Sequence, residues 1–218
     1  MRWIKKNAPL REFLVYADIE HAAFGEMDTE IKNALRQALF NEQFGVCAYC
    51  QQKLKITKTK IEHHCEQTIC DGENGTEDRR LDYNNLLLVC LGKGGIKNEL
   101  HCDTSKAESN RKKFLPMQIN PTINNHILTI SYSTNGRIRS SNELFNKELN
   151  EILNLNVNHL KNIRKKKWQS IYGRSINKNG SLNKDRMKKI LDDDLAKKDN
   201  QFTKNFPSMS EYMKTKFC

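Results

Sequence analysis

Cys47-Ala-Tyr-Cys50 sets two thiols two residues apart, and Cys90 and Cys102 supply a second pair further along the chain. No other feature restricts the fold as much. A tight turn can aim two such thiolates at one ion. Four of them complete a tetrahedral zinc site with bonds of ~2.3 Å, closed to outside ligands, that stabilises folding and does no chemistry. Whatever the chain builds between these cysteines is then pinned at both ends. The stretch separating Cys90 from Cys102, "LGKGGIKNELH", is long for a zinc ribbon. Its glycines and lysines read as a loop that bulges outward without moving its ends apart. Cys65 and Cys70 compete as the second pair, but their wider gap beside two histidines suits the geometry less well. His101 abuts Cys102 and is a weaker substitute for it on zinc.

The 218 residues are enough for one domain, or one domain with an appendage, and 37% hydrophobic against 29% charged residues predicts a modest core. The net charge of +11 favours a polyanionic partner, nucleic acid first, because phosphate neutralisation by Lys and Arg releases counterions. No apolar run is long enough to cross a bilayer and no signal-peptide core follows Met1, so the expected compartment is the cytosol. There the seven cysteines read as metal ligands before they read as disulfides.

Three segments emerge, 1–46, 47–115 and 116–218. In the first, Asp28 and Thr29 can cap a helix with apolar positions Ile31, Ala34, Leu35, Ala38 and Leu39, ended by Gly45. The second holds all but one of the cysteines. Within it Lys53 to Ile61 suits a strand, "NLLLVC" a short apolar element and Asp103 to Phe114 a polar helix. The third opens on alternating residues from His126 to Arg139 around Asn135-Gly136, a hairpin signal. Three helices follow, with Ser140 and Glu143, Asn156, and Ser181 as their expected caps. The closing "NFPSMSEYMKTKFC" reads as a loosely held tail. "RKKKW" (164–168) reads equally as a phosphate grip or a solvated helix face. The fold class expected is α+β.

The chemistry concentrates in "TKIEHHCEQ", where a strand delivers Glu62, His63 and His64 side by side. Downstream come Asn85, then Asp103 directly after Cys102, then Lys106. A carboxylate beside a histidine, an asparagine, and a second carboxylate on a helix form a usable set for phosphodiester hydrolysis. One side chain deprotonates water, a metal carries the charge growing on phosphate and leaving oxygen, and an amide can hold the histidine ring in place. Lys106, Arg111, Lys112 and Lys113 are the expected phosphate contacts.

The order "CAYC … IEHH … NLLLVC … CDTSK" resembles the HNH nucleases, whose ββα-metal core is stapled by a four-cysteine zinc site. In zinc-bearing members an acidic residue and a histidine end the first strand, and an Asn-Leu precedes the third cysteine as Asn85 precedes Cys90. A metal-binding His or Asn normally follows the fourth cysteine, with a lysine three residues on. Here Asp103 stands in that slot, a hard oxygen ligand acceptable to Mg²⁺ or Mn²⁺, and Lys106 keeps the lysine. Together with "EQFGVCAYC" and "EILNLNVNHLKNIRKKKW", the pattern is similar to the PtuB-like HNH family of Septu-type and retron-associated antiphage systems. That resemblance implies a zinc-stapled ββα-metal core framed by helices, a PtuA-like ATPase as partner, and in retron loci a reverse transcriptase with its DNA–RNA hybrid.

It also implies Glu62 as a metal ligand and His63 as general base, with Asn85 supporting the loop. His64 then falls in a variable slot, and it is carried as a further candidate ligand of the catalytic metal beside Glu62 and Asp103. The other register, with His63 on the metal and His64 as base, is that of the HNH colicins. Strand neighbours point to opposite faces, so only one histidine is expected to face the metal. The function expected is cleavage of DNA or RNA. A zinc-binding nucleic-acid adaptor without catalysis, and a nuclease toxin acting on host RNA, are the competing readings.

Overall fold

A computed structural model describes residues 1–73, 75–95, 99–108 and 116–218. The chain is α+β, built from helices and short antiparallel two-stranded sheets. Its centre is an antiparallel pair, β1 (Thr59–His63) and β2 (Leu86–Cys90), in register from Thr59 opposite Cys90 to His63 opposite Leu86. A tight helical turn at Ile56–Lys58 precedes β1, so the strand starts later than the β-branched run suggests and runs on through Glu62 and His63. Leu86, Leu87, Leu88 and Val89 are all buried, which is why β2 reads as a continuous apolar run and not as an alternating one.

The free edge of β2 is closed by a side chain. Gln43 donates from Nε2 to the Leu88 carbonyl at 2.7 Å and accepts from the Leu88 N–H at 2.7 Å, imitating a third strand. Gln43 follows α2 (Thr29–Glu42), whose Leu35, Leu39 and Phe40 pack on the sheet. Glu42 is buried beside it and ties three segments together: Lys6 donates to it at 2.7 Å, the Asn7 N–H at 2.6 Å and the Tyr83 hydroxyl at 3.1 Å. The other amino-terminal helix is α1 (Arg11–Ala17).

Beyond β2 the insert forms a small ribbon, β3 (Lys93–Gly94) against β4 (Glu99–Leu100), and returns to α3 (Cys102–Lys106), which packs on β2. The insert therefore bulges while its ends stay together, as its composition implies. The His101 N–H donates to the Gly92 carbonyl at 2.8 Å, and a Cβ on Gly92 would lie 2.3 Å from the His101 carbonyl oxygen. Only glycine closes the base of the ribbon.

The rest frames this unit. α4 (Asn124–Ile127) precedes the hairpin β5 (Ile130–Tyr132) and β6 (Ile138–Ser140), shorter than the alternation suggests because His126 and Ile127 turn helical. The caps expected at Ser140, Asn156 and Ser181 are displaced. Asn142 accepts from the Phe145 N–H to start α5 (Glu143–Glu151), and Asn183 accepts from the Arg186 N–H to start α7 (Lys184–Asp194). Asn156 bridges the Ile138 backbone N–H and carbonyl instead, just ahead of α6 (Asn158–Arg174).

Two further readings are corrected here, the first at one residue, since Lys165 and Lys166 are exposed and Arg164 is not. Arg164 is 1% exposed, donating to the Gly136 and Leu155 carbonyls, and so grips the hairpin turn and not a phosphate. The carboxy-terminal stretch is no tail. After the small pair β7 (Lys197–Lys198) and β8 (Gln201–Phe202) it forms α8 (Pro207–Phe217), whose Met209 and Met213 are fully buried. Leu35, Leu86, Leu153 and Met209 belong to one continuous core, so the three sequence segments share their interior. Among the described residues no helix is long and apolar enough to cross a membrane.

Candidate metal centres and active site

The four cysteines converge. Cys47 Sγ lies 3.9 Å from Cys102 Sγ, Cys50 Sγ lies 3.8 Å from Cys90 Sγ, and Cys90 Sγ lies 3.9 Å from Cys102 Sγ. Four thiolates at ~2.3 Å from one ion stand roughly 3.8 Å apart at tetrahedral angles. The donor set and its spacing fit one zinc ion. Cys102 takes a left-handed φ of +55°, uncommon for a side chain with a Cβ, and is held there by its N–H donating to the Leu153 carbonyl at 2.8 Å. Burial pushes the Cys50 and Cys102 thiols up, while hydrogen bonds from Cys102, Cys47 and Cys50 pull Cys90 far down. A thiolate in that enclosed cluster calls for a cation. His101 Nδ1 sits 3.2 Å from Cys102 Sγ, placed to support that ligand and not to replace it.

Cys65 and Cys70 do not join this centre. They form a disulfide, against the expectation that the thiols are metal ligands first. The Ile69 and Cys70 N–H groups both donate to the Glu66 carbonyl, folding the intervening residues into a turn that brings the two Cα atoms to 6.0 Å, within bridging range.

The thiol cluster touches the second site directly. Tyr49, inside the Cys47–Cys50 turn, donates its hydroxyl to Glu62 Oε1 at 3.3 Å. Glu62 points from β1 toward α3 and meets Asp103 of the helix's first turn in a cavity of about 470 Å³, also lined by Glu66, Gln67, Thr68, Ile69 and Lys106. Burial pushes the Glu62 carboxyl up to about 8, opposed by Lys106 and reinforced by Asp103. Burial acts against Asp103 as well, but its contacts with Glu62 and with Lys60, 3.0 Å away, hold it below the usual carboxylate range. Two enclosed carboxylates in contact need either a proton or a cation between them.

Lys106 departs from its expected role. It is 2% exposed, and its ammonium donates to Glu62 Oε1 at 2.6 Å and to the His63 and His64 carbonyls at 2.8 Å each. It clamps the end of β1 to α3 and has no face free for a phosphate. Arg111, Lys112 and Lys113 lie outside the described residues.

The strand's alternation separates Glu62 from His63. His63 lies on the other face, edge-on to the Phe24 ring at 4.6 Å, with Nε2 2.9 Å from the Arg80 carbonyl. A carbonyl takes only a proton donor, so Nε2 carries the hydrogen and Nδ1 the lone pair. Burial lowers the His63 pKa and keeps the ring neutral near pH 7. His64 is buried with Nε2 3.0 Å from the Ile119 carbonyl, and burial pushes its pKa down to about 4. Neither histidine lines the Glu62–Asp103 cavity.

Asn85 holds the connecting loop. Its Oδ1 accepts from the Cys65 N–H at 2.8 Å, and its Nδ2 donates to the Cys65 carbonyl at 3.0 Å and the Arg79 carbonyl at 2.9 Å. Sequence reasoning passed over Tyr49, Lys60 and Phe24. Of these, only Tyr49 carried a signal, its place inside the C-x-x-C turn.

His64 links pH to stability. Its folded pKa lies below the ordinary histidine value of 6.5, so the unfolded chain binds more protons between about pH 6.5 and 4. Stability is present above that window and falls by on the order of 3 kcal/mol as pH drops through it. Denaturant titrations at several pH values should show this slope in the wild type and a shallower one in His64→Gln. Parallel slopes would contradict it.

Compared with known proteins, the chain matches no family profile and no curated protein sequence.

Proposed function

We propose that this chain is a zinc-stapled, divalent-metal-dependent HNH-type endonuclease, acting on nucleic acid as the effector of an antiphage complex of the Septu or retron type. The observation that carries the reading is the meeting of Glu62, from the end of β1, with Asp103, from the first turn of α3, beside a four-thiol cluster that anchors α3 and β2, the strand on which β1 pairs. Both side chains offer hard oxygen donors suited to Mg²⁺ or Mn²⁺. A cation held there would carry the charge that develops on the phosphate and leaving oxygen.

His63 serves as the base. Its ring is neutral, its Nε2–H is committed to the Arg80 carbonyl, and Nδ1 accepts the proton from water. His64, with its pKa pushed down to about 4 and its Nε2 engaged by Ile119, is a poor base near pH 7. This favours the register in which Glu62 binds the metal. Asn85 keeps the loop after the histidines in place, and Lys60, on Asp103, stands partly exposed at the cavity. The net charge of +11 suits a polyanionic substrate. The ATPase partner, and in a retron locus the reverse transcriptase with its hybrid, come from the resemblance in sequence.

One observation favours the adaptor reading instead: both histidine rings lie off the carboxylate cavity. Asp103→Ala separates the two. For a metal ligand, cleavage should fall steeply at low Mg²⁺ or Mn²⁺ and recover in part at high concentration, with zinc content unchanged. Cleavage indifferent to this substitution would remove Asp103 from the site.

A further inference from the structure

Glu66 sits inside the loop closed by the Cys65–Cys70 disulfide, and all four residues within that loop line the cavity shared by Glu62 and Asp103. The loop starts from a fixed point, since Asn85 holds both backbone groups of Cys65. Both carboxylate oxygens of Glu66 are sealed from solvent, and neither accepts a hydrogen bond. The nearest cation is Lys106, 2.8 Å from Oε1. An ammonium has three protons, and those of Lys106 go to Glu62 Oε1 and to the His63 and His64 carbonyls. Glu66 Oε1 thus pairs with an ammonium already shared among three other acceptors, and Oε2 meets no partner. Buried carboxylates are costly to leave in that state, and an orphaned one beside two others marks a place where an ion belongs.

We infer that Glu66 is a third carboxylate ligand of the divalent cation that Glu62 and Asp103 hold. This rests on the reading of that cavity as a metal site. Three carboxylates from β1, the disulfide loop and α3 supply the hard oxygen set that Mg²⁺ and Mn²⁺ take, with water or substrate oxygens completing the shell. The charges are consistent with a phosphodiester substrate: three carboxylates against Lys60, Lys106 and a divalent cation leave one positive charge, which one phosphodiester neutralises. The disulfide loop then acts as a mount that brings a ligand to the cavity, a role the sequence gives no sign of.

The test is a Mn²⁺ titration of the full zinc-loaded chain, followed by calorimetry and by the loss of the free-ion spin resonance signal. The proteins are wild type, Glu66→Gln, Glu66→Asp and Glu62→Gln, each with zinc content and thermal melting recorded. Removing an outer-sphere partner of a metal already costs roughly 10–100-fold in affinity, so Glu66→Gln should weaken Mn²⁺ binding at least tenfold, and Glu66→Asp less. Wild-type Mn²⁺ affinity in Glu66→Gln, with Glu62→Gln impaired, would overturn the role of Glu66 and leave the metal site standing. Absence of Mn²⁺ binding by the wild type would overturn both. A lower melting temperature for Glu66→Gln with unchanged Mn²⁺ affinity would reduce Glu66 to a structural partner of Lys106.

Discussion

Cys47→Ser should give a chain that holds no zinc and shows no cooperative unfolding transition. The reason lies in how little the site's elements bring of their own. β1 and β2 have five residues each and α3 has five, lengths at which an isolated hairpin or helix is marginal in water. The thiol cluster joins two of them to the turn after α2, with Cys47 and Cys50 in that turn, Cys90 ending β2 and Cys102 opening α3, and β1 is held through its pairing with β2. Cys47 is fully buried and its sulfur accepts the Cys90 N–H at 3.5 Å, so its loss reaches two arms of the cluster. Structural zinc contributes about 10–16 kcal/mol to folding in small zinc domains. A whole domain is stable by about 5–15 kcal/mol. Removing the first quantity leaves nothing of the second. Elemental analysis should find about one zinc per chain in the wild type, as four ligands to one ion require. Near-full zinc and an unchanged melting curve in Cys47→Ser would rule out this ligand set.

The second large effect is on catalysis. His63→Ala should lower single-turnover cleavage by ~10²–10⁴-fold, the usual contribution of a general base, while zinc content stays near wild type. His63 sits on the face of β1 away from the thiol cluster, and its ring contacts are Phe24 and the Arg80 carbonyl. Both rings are enclosed and bonded to a carbonyl, so either alanine costs stability, but His64→Ala should lose less activity. The pair of outcomes is diagnostic. A dead His64→Ala, with His63→Ala rescued by added Mn²⁺, would reverse the roles of the two histidines.

The thiol cluster was legible in the sequence because cysteines signal a shared centre whatever their distance apart. The placement of Glu62 and His63 at a strand end, of Asp103 in a helix's first turn, and of a turn at Asn135-Gly136 followed from local pattern. Lys106 was misread for a physical reason. A lysine in a basic chain looks solvated, and only the fold brings Glu62, Glu66 and two carbonyls around it. Arg164 failed in the same way, its partners being carbonyls of a distant hairpin turn and of Leu155. Two helix caps slipped by two residues, from Ser140 to Asn142 and from Ser181 to Asn183, because Ser and Asn cluster at each boundary and compete for the same N–H groups. The carboxy-terminal helix was hidden by Pro207 and its polar neighbours, although Met209 and Met213 keep helical spacing and Pro is well suited to a first turn. The Cys65–Cys70 disulfide, and with it the position of Glu66, depends on a turn that no local signal announces.

The most direct measurement is cleavage itself. Zinc-loaded protein, expressed alone and together with the neighbouring reading frames of its locus, is incubated with labelled DNA and RNA while Mg²⁺ or Mn²⁺ is raised from zero. The account predicts strand cleavage that appears only with the added cation and disappears in Glu62→Gln at unchanged zinc content. Nucleic acid bound but left intact at every metal concentration and with every partner would contradict it and leave a zinc-binding adaptor.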